Sequence, residues 1–527
     1  MSLPSGGNAA RLMNHPVVTQ LEHNCHLNID KAPHAIKKTG IVCTLGPASQ
    51  KPDVLREMMK AGMTIARLNF SHGTHEYHAK SVQMVREAAA TFPGLHLGIA
   101  LDTKGPEVRT GTMAGDETKA AELRTGSIIT ITTDDAMKDQ CSSELVYLDY
   151  KRFTKECKVG QKIFVDDGLM NFEVRELIDD LNVKCEVICG GSLSGKKGVN
   201  LPGIEIDLPA ISDTDEADLK FAVELGLDMV FASFVRDGAN VKHIREILGE
   251  KGKNIQIISK IENHQGLRNL DEIIETGDGL MVARGDLGVQ IPQEKLTVAQ
   301  KVIISKGNRS GKPVICATQM MDSMTNKPRP TRAEISDVTN AVLDGADCVM
   351  LSGESAKGAF PVETVRTMAE ICREAEKIFF QRKFFTEMRL FLPQPCTPTH
   401  ATAISAVEIS LQTYATAIIV LSTTGQAARF LSKYKPHVPI IAVLADTQTA
   451  RVLQLCRGVI PVVVTEESQD WVTDTDRKVQ SGIKLGFQRG FVRTGDPLIV
   501  VTGWKQGQGY SNTIRIIAAP AESVLTV

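Results

Sequence analysis

The amino-acid sequence predicts an α/β protein, namely a (β/α)8 TIM barrel with an inserted antiparallel β domain and a C-terminal α/β domain. From about Lys38 onward, short apolar runs alternate with longer stretches of helical periodicity, which is the pattern of a parallel sheet or barrel. From about Glu107 to Leu208 the pattern changes to short strands without long helices. After about Phe380 the alternation of strand and helix returns.

The first alternating region contains eight apolar runs that we interpret as barrel strands. Eight strand–helix units over about 240 residues, with the insertion set aside, match a (β/α)8 barrel. An open doubly wound sheet is the alternative that the pattern alone leaves open. The predicted strands are residues 40–44, 64–70, 97–102, 229–234, 255–261, 279–283, 313–317 and 348–351.

The inserted region begins at the end of the third predicted strand. Its apolar stretches at 128–132, 163–165 and 183–187 are separated by Gly and Asp turns, which favours a small antiparallel β domain. The carboxyl ends of barrel strands form the catalytic face, so a domain inserted there is well placed to act as a lid.

The C-terminal region has predicted strands at 418–421, 440–443, 459–464, 497–501 and 514–518. The predicted domains are an N-terminal tail or small helical segment at 1–37, the catalytic barrel at 38–106 and 209–379, a β-barrel lid at 107–208, and a C-terminal α/β regulatory domain at 380–527.

Composition limits the classes of function. The 527 residues include 60 basic and 62 acidic side chains, so no net field attracts the chain to nucleic acid or to an acidic membrane. The eleven cysteines are scattered without a CxxC pair, which in a chain of this size indicates reduced thiols and a cytoplasmic protein. The sequence has no continuous apolar stretch of the ~20 residues that a membrane helix needs.

The fifth predicted strand ends in an unusual pair of charges. Side chains alternate along a strand, so Lys260 and Glu262 point to the same face. An unpartnered buried ion costs several kcal/mol, so we expect these charges to meet a ligand or a metal. We expect Glu262 to bind a metal and Lys260 to face a phosphoryl group, rather than the two forming a salt bridge.

Other predicted strands end in similar polar clusters. In a barrel all these ends converge on one rim, where catalytic residues lie. The clusters are Arg67, Asn69, Ser71 and His72 after the second strand, Asp102 and Thr103 after the third, Arg284, Gly285 and Asp286 after the sixth, Thr318 after the seventh, and Ser352 and Glu354 after the eighth.

These residue types indicate phosphoryl transfer. Glu262 and Asp286 are hard oxygen donors one βα unit apart, which suits Mg²⁺ or Mn²⁺. Lys260 and Arg67 bring the positive charge that stabilises a transferring phosphoryl group. Thr318, Ser352 and Glu354 are candidates to hold substrate or relay a proton.

Two further regions are candidate anion sites. The sequence lacks a Walker A loop, but the glycine-rich stretch 190–198 in the inserted domain carries Lys196 and Lys197. In the C-terminal domain, a hydroxyl-rich turn at 421–428 leads from a strand into a helix, and the glycine-rich loop 502–509 carries a lysine. Free N–H groups at a helix start favour an anion, although ordinary N-capping gives the same pattern.

Five passages, taken in order, resemble the pyruvate kinase family over nearly the whole chain. They read ARLNFSHG at 66–73, LDTKGPE at 101–107, ISKIEN at 258–263, ARGDLG at 283–288 and KPRPTRAE at 327–334. The resemblance implies a (β/α)8 barrel with a β lid and a C-terminal α/β domain. It also implies transfer of the phosphoryl group of phosphoenolpyruvate to ADP, giving ATP and pyruvate.

The resemblance implies roles for the residues at the rim. Glu262 and Asp286 would bind Mg²⁺, Lys260 and Arg67 would stabilise the phosphoryl group and the enolate, and Thr318 would lie near the carbon that is protonated. Either Thr318 or a water chain that involves Ser352 and Glu354 would supply the proton. Contacts to substrate or nucleotide would come from Arg67, Asn69, His72, Arg109, Lys197, Ser233, Lys260, Gly285, Asp286 and Thr318.

The resemblance also implies a K⁺ site. Asn69, Ser71, Asp102 and Thr103 match it, and Glu107 agrees with K⁺ dependence because members that dispense with K⁺ tend to carry Lys there.

In the C-terminal domain the resemblance implies a site for fructose 1,6-bisphosphate, and it further suggests a homotetramer. Gln426 and Ala427 depart from the Arg and Ser that are common in regulated members, which puts the effector's identity and strength in question. The matching residues are Ser422, Thr423, Thr424, Gly425, Gln426, Ala427, Trp471, Lys478, Gly507 and Gly509.

Two other functions compete with a regulated pyruvate kinase. One is another Mg²⁺ barrel that performs carbon–carbon chemistry on phosphoenolpyruvate or a 2-keto acid, which needs neither a nucleotide lid nor a K⁺ site. The other is a catalytically silent sugar-phosphate sensor. The intact Lys260, Glu262, Asp286 and Thr318 argue against the sensor.

Overall fold

A computed structural model describes residues 19–115, 119–166, 168–204, 206–392, 394–466, 470–505, 507 and 509–525. The chain forms two compact units. One contains residues 40–368 and 447–455, and the other contains the described residues of 1–39, 369–446 and 456–527. Strands and helices are numbered in chain order.

The first unit is built on a closed barrel of parallel strands. Their order around the barrel is β1-β17-β16-β15-β14-β13-β3-β2. This confirms the predicted fold and excludes the open sheet. The strands are β1 (Gly40–Thr44), β2 (Ile65–Asn69), β3 (Gly98–Asp102), β13 (Met229–Ala232), β14 (Gln256–Ile261), β15 (Gly279–Ala283), β16 (Val314–Ala317) and β17 (Cys348–Leu351).

Helices follow the barrel strands, and capping residues define where several of them begin. Ser212 and Thr331 each form a capping box, with Asp215 and Glu334 respectively. The helices are α2 (Pro52–Ala61), α3 (His75–Ala90), α5 (Asp213–Glu224), α6 (Gly238–Leu248), α7 (His264–Arg268), α8 (Leu270–Thr276), α9 (Arg284–Gln290), α10 (Leu296–Ser310), α11 (Arg332–Asp344), α12 (Gly353–Ala356) and α13 (Pro361–Ile378).

Apolar side chains fill the barrel interior. Ile65, Phe231, Ile258 and Met281 are among a fully buried cluster contributed by successive strands. Leu455 belongs to the same cluster, because helix α17 (Thr447–Val452) and the 3₁₀ turn after it pack on the barrel. Residues 447–455 therefore group with the barrel, although they lie within the predicted C-terminal domain at 380–527. The domain boundaries stay predictions.

The described residues of the inserted region form a β structure with one short α-helix, α4 (Phe153–Glu156). Seven strands form a sheet in the order β4-β12-β8-β9-β10-β6-β7, and β11 pairs with β5. Pairing is antiparallel except between β6 and β7, which are parallel. The strands are β4 (Val108–Arg109), β5 (Ala120–Leu123), β6 (Ile128–Thr132), β7 (Leu145–Tyr147), β8 (Lys162–Val165), β9 (Met170–Leu177), β10 (Asn182–Cys189), β11 (Gly191–Ser194) and β12 (Gly198–Asn200).

The second unit contains a five-stranded sheet in the order β20-β19-β18-β21-β22, parallel except for the edge strand β22. Its strands are β18 (Ala417–Leu421), β19 (Ile440–Leu444), β20 (Val459–Val463), β21 (Pro497–Gly503) and β22 (Ser511–Ala518). Its helices are α1 (Gln20–Cys25), α14 (Gln381–Leu390), α15 (Pro398–Gln412), α16 (Gln426–Lys433) and α18 (Trp471–Gln488).

The structure bears on the predicted absence of membrane helices and on the cysteines. No helix within the described ranges is long and apolar enough to cross a bilayer. The eleven cysteines all lie in described residues, and none of them forms a disulfide. Residues 1–18 of the predicted N-terminal segment lie outside the described residues.

Candidate active site

Lys260, at the carboxyl end of β14, is the centre of a buried polar cluster. Its Nζ donates to Asp102 Oδ1 at 3.0 Å and to Ser233 Oγ at 2.7 Å, and it lies 3.0 Å from Glu262 Oε1. Only 8% of Lys260 is exposed. These partners come from the ends of the adjacent strands β3, β13 and β14. The expectation that Lys260 and Glu262 avoid a salt bridge is wrong, because each buried ion needs an opposite charge within reach.

Asp102 joins Lys260 to a second buried cation. Arg67 Nε donates to Asp102 Oδ2 at 2.6 Å, and Arg67 Nη1 donates to Thr44 Oγ1 at 2.9 Å. Asp102 is 1% exposed and Arg67 is 9% exposed. One carboxylate thus holds two positive side chains at the rim, where an incoming anion could contact both.

The pKa shifts in this cluster follow from burial and from the charges nearby. Burial lowers the pKa of Lys260, but the carboxylates of Asp102 and Glu262 outweigh it and raise the pKa above the ordinary value. Burial raises the pKa of Asp102, yet the cations of Arg67 and Lys260 hold it below the ordinary value. Lys260 and Asp102 are therefore charged at neutral pH.

Glu262 behaves differently from Asp102. It is 1% exposed, and burial raises its pKa despite the nearby Lys260. Its Oε2 accepts a hydrogen bond from the main-chain N–H of Phe234 at 2.6 Å. Burial disfavours the ionised form of Glu262, so a further cation nearby would stabilise that form. Asp286 is close enough to Lys260 to interact with it electrostatically.

Glu262 and Asp286 fit a divalent cation whose remaining ligands are water and substrate oxygen atoms. Among the described residues, no group of three or more His, Cys, Asp and Glu side chains could hold a metal. Two carboxylates at neighbouring strand ends are the donor set that Mg²⁺ uses when water and substrate oxygens complete its shell.

The four predicted K⁺ ligands lie at the ends of β2 and β3. These two strands pair with each other, and Asn69 lies opposite Asp102. Asn69 Oδ1 accepts from Ser71 N–H at 3.2 Å. The carbonyl of Thr103 accepts from Ser233 Oγ at 2.6 Å, and Thr103 Oγ1 accepts from Ser233 N–H at 3.0 Å. Hard oxygen atoms are concentrated here, which is the donor type that such a cation requires.

Thr318 lies just after β16 in a strained backbone conformation. Its φ is +76°, and Gln319 follows with φ +53°. Left-handed geometry is rare for a β-branched residue and costs on the order of 1–3 kcal/mol, so the surroundings must impose it. The guanidinium of Arg284 does so in part by donating to the Thr318 carbonyl at 2.7 Å.

Arg284 and Gly285 support Thr318 from the neighbouring strand end. Arg284 forms a two-pronged ion pair with Asp337, with both distances 2.7 Å. A Cβ on Gly285 would lie 3.0 Å from Thr318 Cγ2, so a side chain there would press on Thr318. The sequence did not indicate Asp337, because it lies on α11 beyond the end of the KPRPTRAE passage and its partner Arg284 is 53 residues away.

Glu354 connects two strand ends. It is 1% exposed, its Oε1 accepts from Met321 N–H at 3.1 Å, and its Oε2 accepts from Ser352 N–H at 2.7 Å. Burial raises its pKa. Both of its oxygens are engaged by main-chain donors, so Glu354 holds the loops that carry Thr318 and Ser352.

The predicted cations of the lid are each paired with a lid carboxylate. Arg109 Nη2 lies 2.5 Å from Glu107 Oε2, and Lys197 Nζ lies 3.0 Å from Asp166 Oδ1. His72 is exposed after β2, and its carbonyl accepts from His78 Nε2 at 2.8 Å. A cavity between lid and barrel is lined by residues of both, including Glu107 and Asp286.

Nine of the ten predicted effector residues, all except Gly425, line one cavity in the second unit. Lys478 and Lys505 supply positive charge, and Lys478 Nζ lies 2.6 Å from Asp474 Oδ2. Gly425 is left-handed at the start of α16, with φ +76°. The lining includes Ser422, Thr423, Thr424, Gln426, Ala427, Trp471, Gly507 and Gly509.

Comparison with known proteins agrees with this arrangement. The family described as pyruvate kinase, barrel domain, matches residues 36–365, and that described as pyruvate kinase, alpha/beta domain, matches residues 400–517. The chain belongs to the pyruvate kinase family. Family membership makes it a phosphotransferase, and the carbon–carbon chemistry and silent-sensor alternatives lose their support.

Individual pyruvate kinases are similar over nearly the whole chain. Pyruvate kinase PKLR of Homo sapiens is 51% identical over 506 residues, covering 95% of this chain and 88% of the relative. Pyruvate kinase 2 of Trypanosoma brucei brucei is 48% identical over 503 residues, covering 95% of this chain and 100% of the relative. The pyruvate kinase of Candida albicans is 46% identical over 509 residues, covering 96% and 100% respectively.

Proposed function

We propose that the chain transfers the phosphoryl group of phosphoenolpyruvate to ADP in glycolysis. An oxygen of the ADP β-phosphate bonds to the phosphorus, and the bond between phosphorus and the enol oxygen breaks. The electron pair stays with the enolate, and a proton added to its methylene carbon gives pyruvate. The observation that supports this most is the buried cluster of Lys260, Arg67, Asp102 and Glu262 at the rim of a pyruvate kinase barrel.

The barrel residues have distinct roles in this proposal. Lys260 and Arg67 stabilise negative charge on the phosphoryl group and on the enolate oxygen. Asn69, Ser233 and Gly285 contact the substrate. Thr318 lies near the carbon that is protonated, with Ser352 and Glu354 in the proton path. His72 on the barrel, and Arg109 and Lys197 on the lid, contact the nucleotide phosphates.

Two cations complete the proposal. Glu262 and Asp286 would hold Mg²⁺ or Mn²⁺, which neutralises charge on phosphoryl oxygens when bound. Asn69, Ser71, Asp102 and Thr103 would hold K⁺. Support comes from the donor chemistry of both sets and from the effect of burial on the pKa of Glu262.

Pyruvate formation from phosphoenolpyruvate tests the reaction. We expect it to require ADP, Mg²⁺ and K⁺, each omitted in turn. Lys260→Met should lower turnover by about 10²–10³-fold or more, because it removes one preorganised charge at the reacting group. Lys306→Met is the matched control, since Lys306 is a half-buried barrel lysine paired with Asp271. ADP-dependent pyruvate formation that survives in Lys260→Met would contradict the role of Lys260.

We further propose that a sugar bisphosphate activates the enzyme by binding at the cavity of the second unit. Lys478 and Lys505 can pair with phosphates, and the start of α16 offers main-chain N–H groups. Titration with fructose 1,6-bisphosphate should activate the wild type, and Lys478→Met should weaken this activation at least tenfold. Lys484→Met, an exposed position on the same helix, is the control. Equal activation of all three proteins would refute the site.

The proposed enzyme is a cytoplasmic homotetramer. Light scattering coupled to size exclusion should give four times the chain mass, and a stable monomer that retains full activity would contradict the assembly.

A further inference from the structure

The four residues that follow β13, Ser233 to Arg236, form a loop that contacts both the lid connections and the charged residues of the candidate active site. It touches the two chain connections between barrel and lid, and it touches Lys260 and Glu262. We call it the β13 loop. Of these four residues, only Ser233 is predicted from the sequence to be a site residue.

Arg236 holds the connection that returns from the lid. Its Nη1 donates to the carbonyl of Ile206, and its Nη2 donates to the carbonyl of Leu208 at 2.7 Å. Hydrogen bonds from a charged donor are stronger than neutral ones, so Arg236 attaches this stretch without regular structure firmly to the barrel. The guanidinium is half-buried between the lid connection and the rim.

The main chain of Arg236 is itself fixed to the barrel helices. Its N–H donates to Asn240 Oδ1 at 3.1 Å, and its carbonyl accepts from Asn269 Nδ2 at 2.9 Å. Asn240 lies on α6 and Asn269 lies just before α8. The side chain therefore links the returning lid connection to a rigid part of the barrel.

The other end of the β13 loop holds the connection that enters the lid. Ser233 exchanges two hydrogen bonds with Thr103, at 3.0 and 2.6 Å. Gly105 is left-handed with φ +74°, and a Cβ there would lie 2.8 Å from Ser233 Cβ and 2.9 Å from the ring of Phe234. The entering connection thus packs directly on the loop.

The inward side of the β13 loop reaches the candidate active site. Ser233 Oγ accepts from Lys260 Nζ at 2.7 Å, and Phe234 N–H donates to Glu262 Oε2 at 2.6 Å. Phe234 has φ +52°, which is a strained conformation for a bulky residue and positions its N–H for Glu262. A shift of this loop would move the Ser233 hydroxyl that Lys260 contacts and the Phe234 N–H that Glu262 contacts.

We propose that Arg236 is a positioning residue, which sets the hinge of the lid and, through the β13 loop, couples lid position to Lys260 and Glu262. The kinetic part of this test rests on the proposed function, whereas the exchange measurement does not. A loss of Arg236 frees the returning connection, so the lid cations Arg109 and Lys197 meet the nucleotide less often in the reactive arrangement.

The chain offers a matched control for Arg236. Arg86 Nη2 also donates to two main-chain carbonyls, those of Leu225 at 2.7 Å and Gly226 at 3.0 Å. These carbonyls precede β13, at the end of the barrel that does not carry the lid. Arg86→Met removes the same kind of contact without touching a hinge.

The experiment compares wild type, Arg236→Met, Arg236→Lys and Arg86→Met as full-length proteins. Amide hydrogen exchange in peptides that cover Ile206 and Leu208 should rise at least fivefold in Arg236→Met and stay within twofold of wild type in Arg86→Met. Turnover of Arg236→Met should fall at least tenfold, with KM for ADP raised at least fivefold and KM for phosphoenolpyruvate changed less than threefold. Arg236→Lys keeps the charge and should recover part of each loss.

Unchanged exchange at these peptides in Arg236→Met would overturn the hinge. Raised exchange with wild-type turnover and KM would overturn the coupling. If circular dichroism shows that Arg236→Met is unfolded, Arg236→Lys carries the same measurements, and its exchange, turnover and KM for ADP should change in the same directions by smaller factors, while wild-type values would overturn the proposal. A wild type that forms no pyruvate would refute the proposed function instead, because the exchange readout does not depend on turnover.

Discussion

Replacing Asp102 with Asn tests the charge balance of the barrel rim. The carboxylate accepts from Arg67 Nε at 2.6 Å and from Lys260 Nζ at 3.0 Å, and neither cation is more than 9% exposed. An Asn side chain offers one oxygen and turns its NH₂ group toward the other cation. Removing one partner of a buried ion pair costs about 3–5 kcal/mol. At about 2–4 °C per kcal/mol for a domain of this size, the melting temperature of the barrel should fall by roughly 6–20 °C.

Scanning calorimetry of the full chain measures this shift, with Asp53→Asn as the control. Asp53 pairs with Arg56 at the surface and its side chain is 92% exposed, so its loss should cost no more than about 1 kcal/mol. A melting temperature for Asp102→Asn that equals the value for Asp53→Asn would refute the reasoning, because it would mean that the two buried cations do not depend on this carboxylate.

Three further substitutions have defined outcomes. A Cβ at Gly266 would lie 2.5 Å from the carbonyl of Val235, so Gly266→Ala should displace the β13 loop and cost about 1–3 kcal/mol, measured as a lower melting temperature together with reduced turnover. Burial lowers the pKa of His400 to about 4, so its neutral form stabilises the fold above pH 6.5 and this contribution, up to about 3 kcal/mol, is lost as the pH falls toward 4. His400→Gln should therefore flatten the decline in melting temperature between pH 6.5 and 4.5, and an unchanged decline would contradict this. Glu354→Gln turns an NH₂ group toward one of two main-chain donors, which should cost about 1–3 kcal/mol in thermal unfolding.

The barrel strands could be predicted because burial on both faces leaves continuous apolar runs. β1, β15 and β17 coincide with the predicted runs, β2 is one residue shorter at each end, and the remaining barrel strands differ by one or two residues at one end. β13 was predicted to reach Phe234 but ends at Ala232. The next two residues are apolar or small enough to continue a strand, yet their N–H groups bond to Thr103 Oγ1 and to Glu262 instead of to a strand.

The charged residues of the rim could be predicted in kind but not in pairing. Buried charge at a strand end indicates a functional site, and the sequence therefore indicated Lys260 and Glu262. Which partner each charge chooses depends on atoms far apart in the chain, as in the pair of Arg284 with Asp337. Arg236 carries no local pattern either, because its acceptors are main-chain carbonyls that any residue could supply.

The two sets of cations differ in how readily they can change partners. The lid pairs of Arg109 with Glu107 and of Lys197 with Asp166 are each about a quarter to a third exposed, so breaking one costs about 0–1 kcal/mol. A nucleotide phosphate carries more charge than a carboxylate and can bind Arg through two hydrogen bonds, so it can displace either lid partner. The pairs of Lys260 and Arg67 with Asp102 are buried and cannot be exchanged at that cost. Under the proposed reaction, Lys260 and Arg67 on the barrel keep fixed positions around the phosphoryl group, while Arg109 and Lys197 on the lid exchange their carboxylates for the nucleotide phosphates. A hinge that sets the distance between these two groups of cations then controls turnover.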